Sequence, residues 1–282
     1  MTTELVRNTI RLLEAINPND ENAYEKAILN LNSMRFLPRI TEVIEPGGIF
    51  YRSRPMDSEG LIPTINEISM PPVHCITDFA RCNKPYQQMF YCSNDRPISF
   101  LELVTYWTGK KAIGDLIYVT VGRWVINIPL NTLIVTTPNP ADRHSEYDKY
   151  YGAFLDAYLN LLEGESINAT KEFYSYMFGK FRAPKEENSN VYIITSAYYN
   201  LCLANDEESI DAIAFPSVPS REIGANLAIR KHLITENNLT LTNVMRNTFI
   251  VHAGKTGLKD FTEIEAKECL SVNQHENSIL WV

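Results

Sequence analysis

Apolar positions recur at helical spacing from the start of the chain. Leu5, Ile10, Leu12, Leu13 and Ile16 make one side of an amphipathic helix over residues 3–16. Asn17-Pro18-Asn19-Asp20 is a turn, and Asp20 is placed to cap a second helix that runs to about Asn32. Residues 44–48, Ile-Glu-Pro-Gly-Gly, punctuate the chain before a buried strand, Ile49-Phe50-Tyr51. Residues 56–78 show no periodicity and hold Pro63, Pro71 and Pro72, which predicts a long loop. Met89 to Cys92 is apolar enough for a buried strand. Asp95 then caps a helix from Ile98 to about Trp107, with Pro97 tolerated in the first turn and Gly109 as the stop.

The alternation continues with strands over Gly114–Val121 and Trp124–Leu130, and a loop over Thr136–Asp142. Glu146–Leu162 is a helix whose stripe of Tyr150, Phe154, Ala157, Tyr158 and Leu161 reads as its core face. Thr170–Phe181 is a further helix, and 184–190 a polar linker. Val191–Ile194 is a short strand or the lead-in to a helix through Ala204. Asp211–Val218 and residues 224–229 read as strands, the first ending at Pro216-Ser217. From Leu239 the chain adds strand-like pieces at Asn243–Val251 and closes in a charged, weakly patterned tail. Helices and strands in this irregular order predict an α+β fold, a mixed β core with flanking helices. Three segments organise it: a helical extension over 1–47, a main domain over 48–236, and a strand-containing extension over 237–282 packed on the same domain.

Composition narrows the function classes. The chain has 282 residues, 45% hydrophobic and 21% charged, which is ordinary globular usage. Its net charge of −8 argues against a nucleic-acid groove, because phosphate neutralisation needs a basic patch. The five cysteines form no Cys-x-x-Cys pair and no zinc spacing, so free thiols in a reducing, cytoplasmic compartment are expected. No His-x-x-x-His pair occurs, and no metal site is expected. Neither a signal peptide nor a membrane-length apolar run is visible, so no membrane partner is expected.

The chemistry-bearing residues come in a fixed order. No Gly-x-Gly-x-x-Gly loop, Walker lysine loop or Gly-x-Ser-x-Gly elbow is present. Arg52 and Arg54 follow the first buried strand, either as a solvated strand end or as an anion clamp with its fixed fork of donors. Arg81 and Asn83 lie in a loop before the Met89–Cys92 strand, which carries Tyr91. Glu102 sits in the next helix beside Ile98, Leu101, Thr105 and Tyr106. It is either a carboxylate on a solvated face or one held in a mostly apolar cleft for binding or chemistry. Ser217 follows a late strand.

Three pieces of this order resemble the RES-domain family, named for its Arg, Glu and Ser. The first is Phe50-Tyr51-Arg52-Ser53-Arg54-Pro55. The second runs from Ala80-Arg81-Cys82-Asn83 through Phe90-Tyr91-Cys92-Ser93 to Phe100-Leu101-Glu102. The third is Ile213-Ala214-Phe215-Pro216-Ser217 followed by Gly224-Ala225-Asn226-Leu227. Together they cover about residues 48–230. Departures from the family pattern are Ala80 and Tyr86 where glycines are usual, and Asp211-Ala212 in place of Asp-Gly.

The resemblance implies a fold similar to the ADP-ribosyltransferase toxins and a cleft for NAD. It implies a toxin of a toxin–antitoxin pair that breaks the nicotinamide–ribose bond by phosphorolysis or hydrolysis, or that transfers ADP-ribose to a protein. A non-catalytic binder of NAD or of a partner protein is the alternative from another class. On this resemblance Glu102, Arg52 and Ser217 form the catalytic set. Glu102 stabilises an oxocarbenium-like ribose, and Ser217 orients the ribose or the carboxylate. Arg81, Tyr91, Tyr51, Asn83 and Arg54 form the NAD-binding set, with arginines on the pyrophosphate or on an incoming phosphate. NAD is then a substrate, with no cofactor. Inorganic phosphate, a cognate antitoxin protein and a second copy of the chain are the other candidate partners.

Overall fold

The computed structural model describes residues 1–35, 37–108, 110–184, 189–204, 209–217, 224–234, 238–254 and 259–281, excluding the side chains of 104–108. The fold is α+β. Ten strands among the described residues form one mixed sheet: β1 (Thr41–Ile44), β2 (Ile49–Met56), β3 (Met89–Ser93), β4 (Leu116–Ile126), β5 (Leu130–Ile134), β6 (Ala212–Pro216), β7 (Ala225–Arg230), β8 (Leu239–Ala253), β9 (Lys259–Asn273) and β10 (Ser278–Trp281). Their order across the sheet is β1-β5-β6-β7-β3-β2-β4-β8-β9-β10. Among the described strands only the β5–β6 pair is parallel. The helices are α1 (Thr3–Glu14), α2 (Ala23–Asn32), α3 (Ile65–Ser69), α4 (Arg96–Thr108), α5 (Glu146–Leu159), α6 (Glu165–Arg182) and α7 (Val191–Leu203). Among the described residues no helix is long and apolar enough to cross a membrane.

Strand alternation sorts the core into layers, because successive side chains point to opposite faces. In β6, Ile213 and Phe215 pack with Leu13, Leu31, Phe173 and Tyr198 of the helical layer built from α1, α2, α6 and α7. Ala212 and Ala214 pack on the other face with Leu155 and Leu159 of α5. Phe100 of α4 joins a third cluster over Ile117, Val119, Phe249 and Val251. The segments 1–47, 48–236 and 237–282 are joined in this one sheet. β1 pairs with β5, and β8 pairs with β4 along eleven residue pairs.

Several elements differ from the sequence reading. Helix α2 starts at Ala23 with Asn22 at its N-cap, and Asp20 instead accepts from Lys26 Nζ at 2.8 Å. The 56–78 stretch is not structureless: it holds α3 and a 3-10 turn at Val73–Cys75. The expected break before Trp124 is absent, and β4 runs unbroken through a bulge at Arg123/Trp124. Gly122 is there for close approach rather than for a turn. A Cβ on it would meet Leu241 Cδ1 and Trp124 Nε1 at 2.8 Å. Leu130–Ile134 is a separate strand. Val191–Leu203 is helical throughout. The charged tail is a strand, β9, with most of its residues exposed. The core face of α5 is Tyr147, Gly152, Leu155 and Leu159; of the expected stripe, Tyr158 packs partly buried against that core, Tyr150 and Phe154 point outward, and the exposed Leu161 lies past the helix end. Gly109 and Val218 lie outside the described residues.

Candidate active site

The sheet opens at its centre. β2 pairs with β4 over eight residues but with β3 only at Tyr51–Ser93. A cleft of about 260 Å³ lies at this split, walled by β2, β3, the loop at Ala80-Arg81, α4 and Tyr192 of α7. Helix α4 reaches the cleft because Gly224 has no side chain. A Cβ there would sit 1.8 Å from Ile98 Cδ1. The loop before α4 is pinned to β7 by a reciprocal pair. Asn94 N donates to Ala225 O, and Ala225 N donates to Asn94 Oδ1, both at 3.1 Å.

Glu102 projects from α4 into the cleft, half-buried. Its Oε1 accepts from Ser217 Oγ at 2.7 Å and from Asn226 Nδ2 at 2.6 Å. Asn226 in turn accepts from the buried Ser93 Oγ at 2.6 Å. That bond makes the Asn226 oxygen the acceptor and turns its NH2 toward Glu102. Ser217 is fully buried and follows β6, and Asn226 sits beside it on the paired strand β7. The chain Ser93→Asn226→Glu102←Ser217 therefore ties β3, β7, α4 and the end of β6 together. Oε2 of Glu102 receives no hydrogen bond from the described residues, and no cation pairs with the carboxylate among them. Two donors orient one oxygen of this carboxyl group, and the other has no donor among the described residues.

Arg52 enters from β2. One nitrogen donates to Tyr91 O at 2.8 Å, and the guanidinium lies 5.3 Å from the Phe90 ring centre. Its Nε is buried without a partner. Burial brings its pKa down to about 10, with neighbouring Arg54 adding to the effect. A half-buried cation with no carboxylate partner among the described residues can take an anionic ligand. Ser53 and Ser99 bond to each other at 2.7 Å on the cleft wall and link β2 to α4.

The other expected residues divide. Tyr51 lines the cleft. The ring of Tyr91 does too, but its hydroxyl donates to Asn83 Oδ1 at 2.8 Å and accepts from Cys82 N at 2.9 Å. Burial pushes that phenol well above its ordinary pKa. Asn83 is buried and borders a second hollow of about 250 Å³, which shares Arg52, Ala80 and Tyr91 with the cleft. Arg81 lies in the cleft wall, 5.3 Å from the Tyr192 ring centre, and caps the end of α6 through the carbonyls of Phe181 and Ala183. Arg54 does not line the cleft. It donates to the Glu67 carbonyl on α3.

Asn226 was visible only as part of a motif and carried no assigned role. A lone asparagine in an apolar strand has no pattern of its own. Ser93 stood in the second motif without a role, and Ser99 and Tyr192 carried no signal at all. The five cysteines are free, with Cys82, Cys92 and Cys202 buried. Burial raises all three thiols, so none is a ready nucleophile. No protein-family model matches this chain, and no curated protein matches its sequence.

Proposed function

We propose that the chain is an NAD-consuming enzyme of RES type, with an ADP-ribosyltransferase-like fold, that cleaves the nicotinamide–ribose bond. The observation that carries this reading is the state of Glu102: one oxygen is held by Ser217 and Asn226, the other receives no donor among the described residues, and Arg52, whose Nε has no partner among them, lines the same cleft. It is supported by the convergence of all three motif segments on that one cleft.

The chemistry follows from the charges. As the C–N bond lengthens, its electron pair leaves with the nicotinamide, and positive charge grows on the ribose. A fixed carboxylate beside that carbon stabilises the developing oxocarbenium without reorganising. Arg52 takes a phosphate group, either of the NAD pyrophosphate or of an incoming phosphate nucleophile. The aromatic walls Tyr51 and Tyr91 hold the flat nicotinamide. Phosphate attack yields a ribose 1-phosphate ester, water yields free ADP-ribose, and each route releases nicotinamide. A toxin paired with an antitoxin in the cytoplasm fits such an activity.

A second reading, transfer of ADP-ribose to a protein, has one observation in its favour. The hollow formed by Pro71–Ala80 opens beside the cleft and shares Arg52 with it, which gives an acceptor a place to dock. Nicotinamide release from NAD by the purified chain, with and without inorganic phosphate, separates the cases. Phosphate-dependent release makes it a phosphorylase, and release indifferent to phosphate makes it a hydrolase. No release in either buffer, from folded protein, overturns the leading reading.

A further inference from the structure

Two serines stand at the corner of the cleft where β2 meets α4. Ser53 follows Tyr51 by two residues on β2, so their side chains share one face of the strand. Ser99 precedes Glu102 by three residues on α4, so those two share one face of the helix. Ser53 Oγ and Ser99 Oγ lie 2.7 Å apart and close the corner, and all four residues line the cleft. Arg52, between Tyr51 and Ser53, turns the other way, toward Tyr91 O and the Phe90 ring. The direction of the hydrogen bonds at the corner is fixed. A serine hydroxyl has one proton to give and two lone pairs. Ser99 is buried, and its Oγ donates to Arg96 O at 2.7 Å. Its proton is spent there, so between the two serines it is Ser53 that donates and Ser99 that accepts. Ser53 keeps no proton for a ligand, and what it turns to the cleft is lone pairs.

Resting on the NAD reading of the cleft, we propose that Ser53 reads the carboxamide of the nicotinamide by accepting one of its N–H groups. Ser99 is the positioning residue that holds Ser53 in its acceptor state. Three residues of α-helix rise about 4.5 Å, on the order of the reach from the ribose carbon across the ring edge to its substituent. With Glu102 at that carbon and Tyr51 on the ring, the carboxamide comes to the serine corner. An amide brings two N–H donors. The nicotinic acid form of the dinucleotide brings a carboxylate in the same place, which has no proton to give. Its lone pairs and charge would face the lone pairs of Ser53, one helical turn from the Glu102 carboxylate. The cleft therefore takes NAD and refuses the nicotinic acid dinucleotide. A site built around one hydrogen bond rejects the analogue that lacks it far more strongly than a site that reads shape alone.

The test is the ratio of kcat/KM for NAD to that for nicotinic acid adenine dinucleotide, in the wild type, Ser99→Ala and Ser53→Ala. Ligand-observed NMR with free nicotinamide and free nicotinate adds a readout that needs no turnover. The wild type should favour NAD by at least about 10²-fold. Ser99→Ala frees the Ser53 proton to turn toward the cleft, so the ratio should fall at least about tenfold, with a gain on the acid form. A merely loosened α4 would slow both dinucleotides alike and leave the ratio where it was. Ser53→Ala removes the acceptor, so KM for NAD should rise more than kcat falls, and the ratio should again collapse. A wild type that cleaves both dinucleotides equally overturns the proposal, and so does a ratio that neither variant moves. If the wild type cleaves neither, the NAD reading fails, and the NMR arm decides separately. Binding of nicotinamide without nicotinate keeps Ser53 as an amide reader, and equal binding or none overturns it.

Discussion

Two hydrogen-bond networks meet at β3, and they end differently. The network of Glu102, Asn226, Ser93 and Ser217 spans four parts of the fold and leaves one carboxylate oxygen in the cleft without a donor among the described residues. The network of Tyr91, Asn83 and Cys82 stays within one loop and strand and closes on its own backbone, with Asn83 Nδ2 donating to Lys84 O. Both are built from polar side chains of the same motif. The difference shows that cleft position alone does not make a group chemical. A side chain whose bonding capacity is used internally shapes the site, and one that keeps capacity free can act on a ligand. Arg52 belongs with the kind that keeps capacity free, through its unpartnered Nε, and Arg81 leans to the kind whose bonds are used internally, through its cap on α6.

The largest effect that sharpens this contrast should come from Asn226→Asp. It sets a second carboxylate at hydrogen-bond distance from Glu102, and two such groups share a proton. The pair's apparent pKa rises, so the charge on Glu102 is partly lost at neutral pH. Turnover of NAD should fall about 10²-fold near pH 7. It should recover as pH rises and the shared proton leaves, a slope absent from the wild type. A flat pH–rate profile in the variant would break the link between Asn226 and the charge on Glu102.

Arg52→Met comes next. It removes a half-buried cation whose desolvation opposes folding, while losing the bond to Tyr91 O. These offset, so denaturant titration should place stability within about 1 kcal/mol of wild type. NAD cleavage should fall at least about tenfold through KM, since a charge-assisted phosphate contact is lost. A large loss of stability with normal KM would return Arg52 to a scaffold role.

Tyr91→Phe should show the opposite pattern. Cys82 N and Asn83 lose their partner in a buried setting, which costs about 1–3 kcal/mol of stability. Activity per folded molecule should change no more than a few-fold. The smallest effect is at Tyr86, which holds φ +64° where a glycine is usual in the resembled motif. Tyr86→Gly relieves the strained left-handed backbone but loosens the unfolded chain, for a net gain of about 0.5 kcal/mol by thermal melting.

Much of the architecture was legible because local chemistry and tertiary packing agree. The Met89–Ser93 strand and the helix after Asp95-Arg96-Pro97 follow from apolar burial and helix-start residues. The capping box of Ser145 and Asp148 starts α5 where its periodicity begins. The face of α5 was misread because its sequence satisfies helical spacing twice, and periodicity cannot choose between two apolar stripes. β9 was missed as a strand because it is exposed on both faces, and its pairing comes from β8 rather than from a buried side. In the cleft, Arg52 and Glu102 were found by order along the chain, which motif spacing preserves. Asn226 gains its meaning from pairing opposite Phe215, beside Ser217, across 115 and 124 residues of separation from Glu102. Contacts that distant leave no trace in local pattern.

The central claim is that the free oxygen of Glu102 carries the reaction. Its most direct test is single-turnover nicotinamide release at saturating NAD by Glu102→Gln beside wild type. The amide keeps an oxygen for Ser217 and Asn226, so the fold and NAD binding should survive. The rate should fall about 10²–10³-fold, the cost of losing one charge-stabilising group at the reacting centre. A folded Glu102→Gln chain that releases nicotinamide at the wild-type rate would contradict the account.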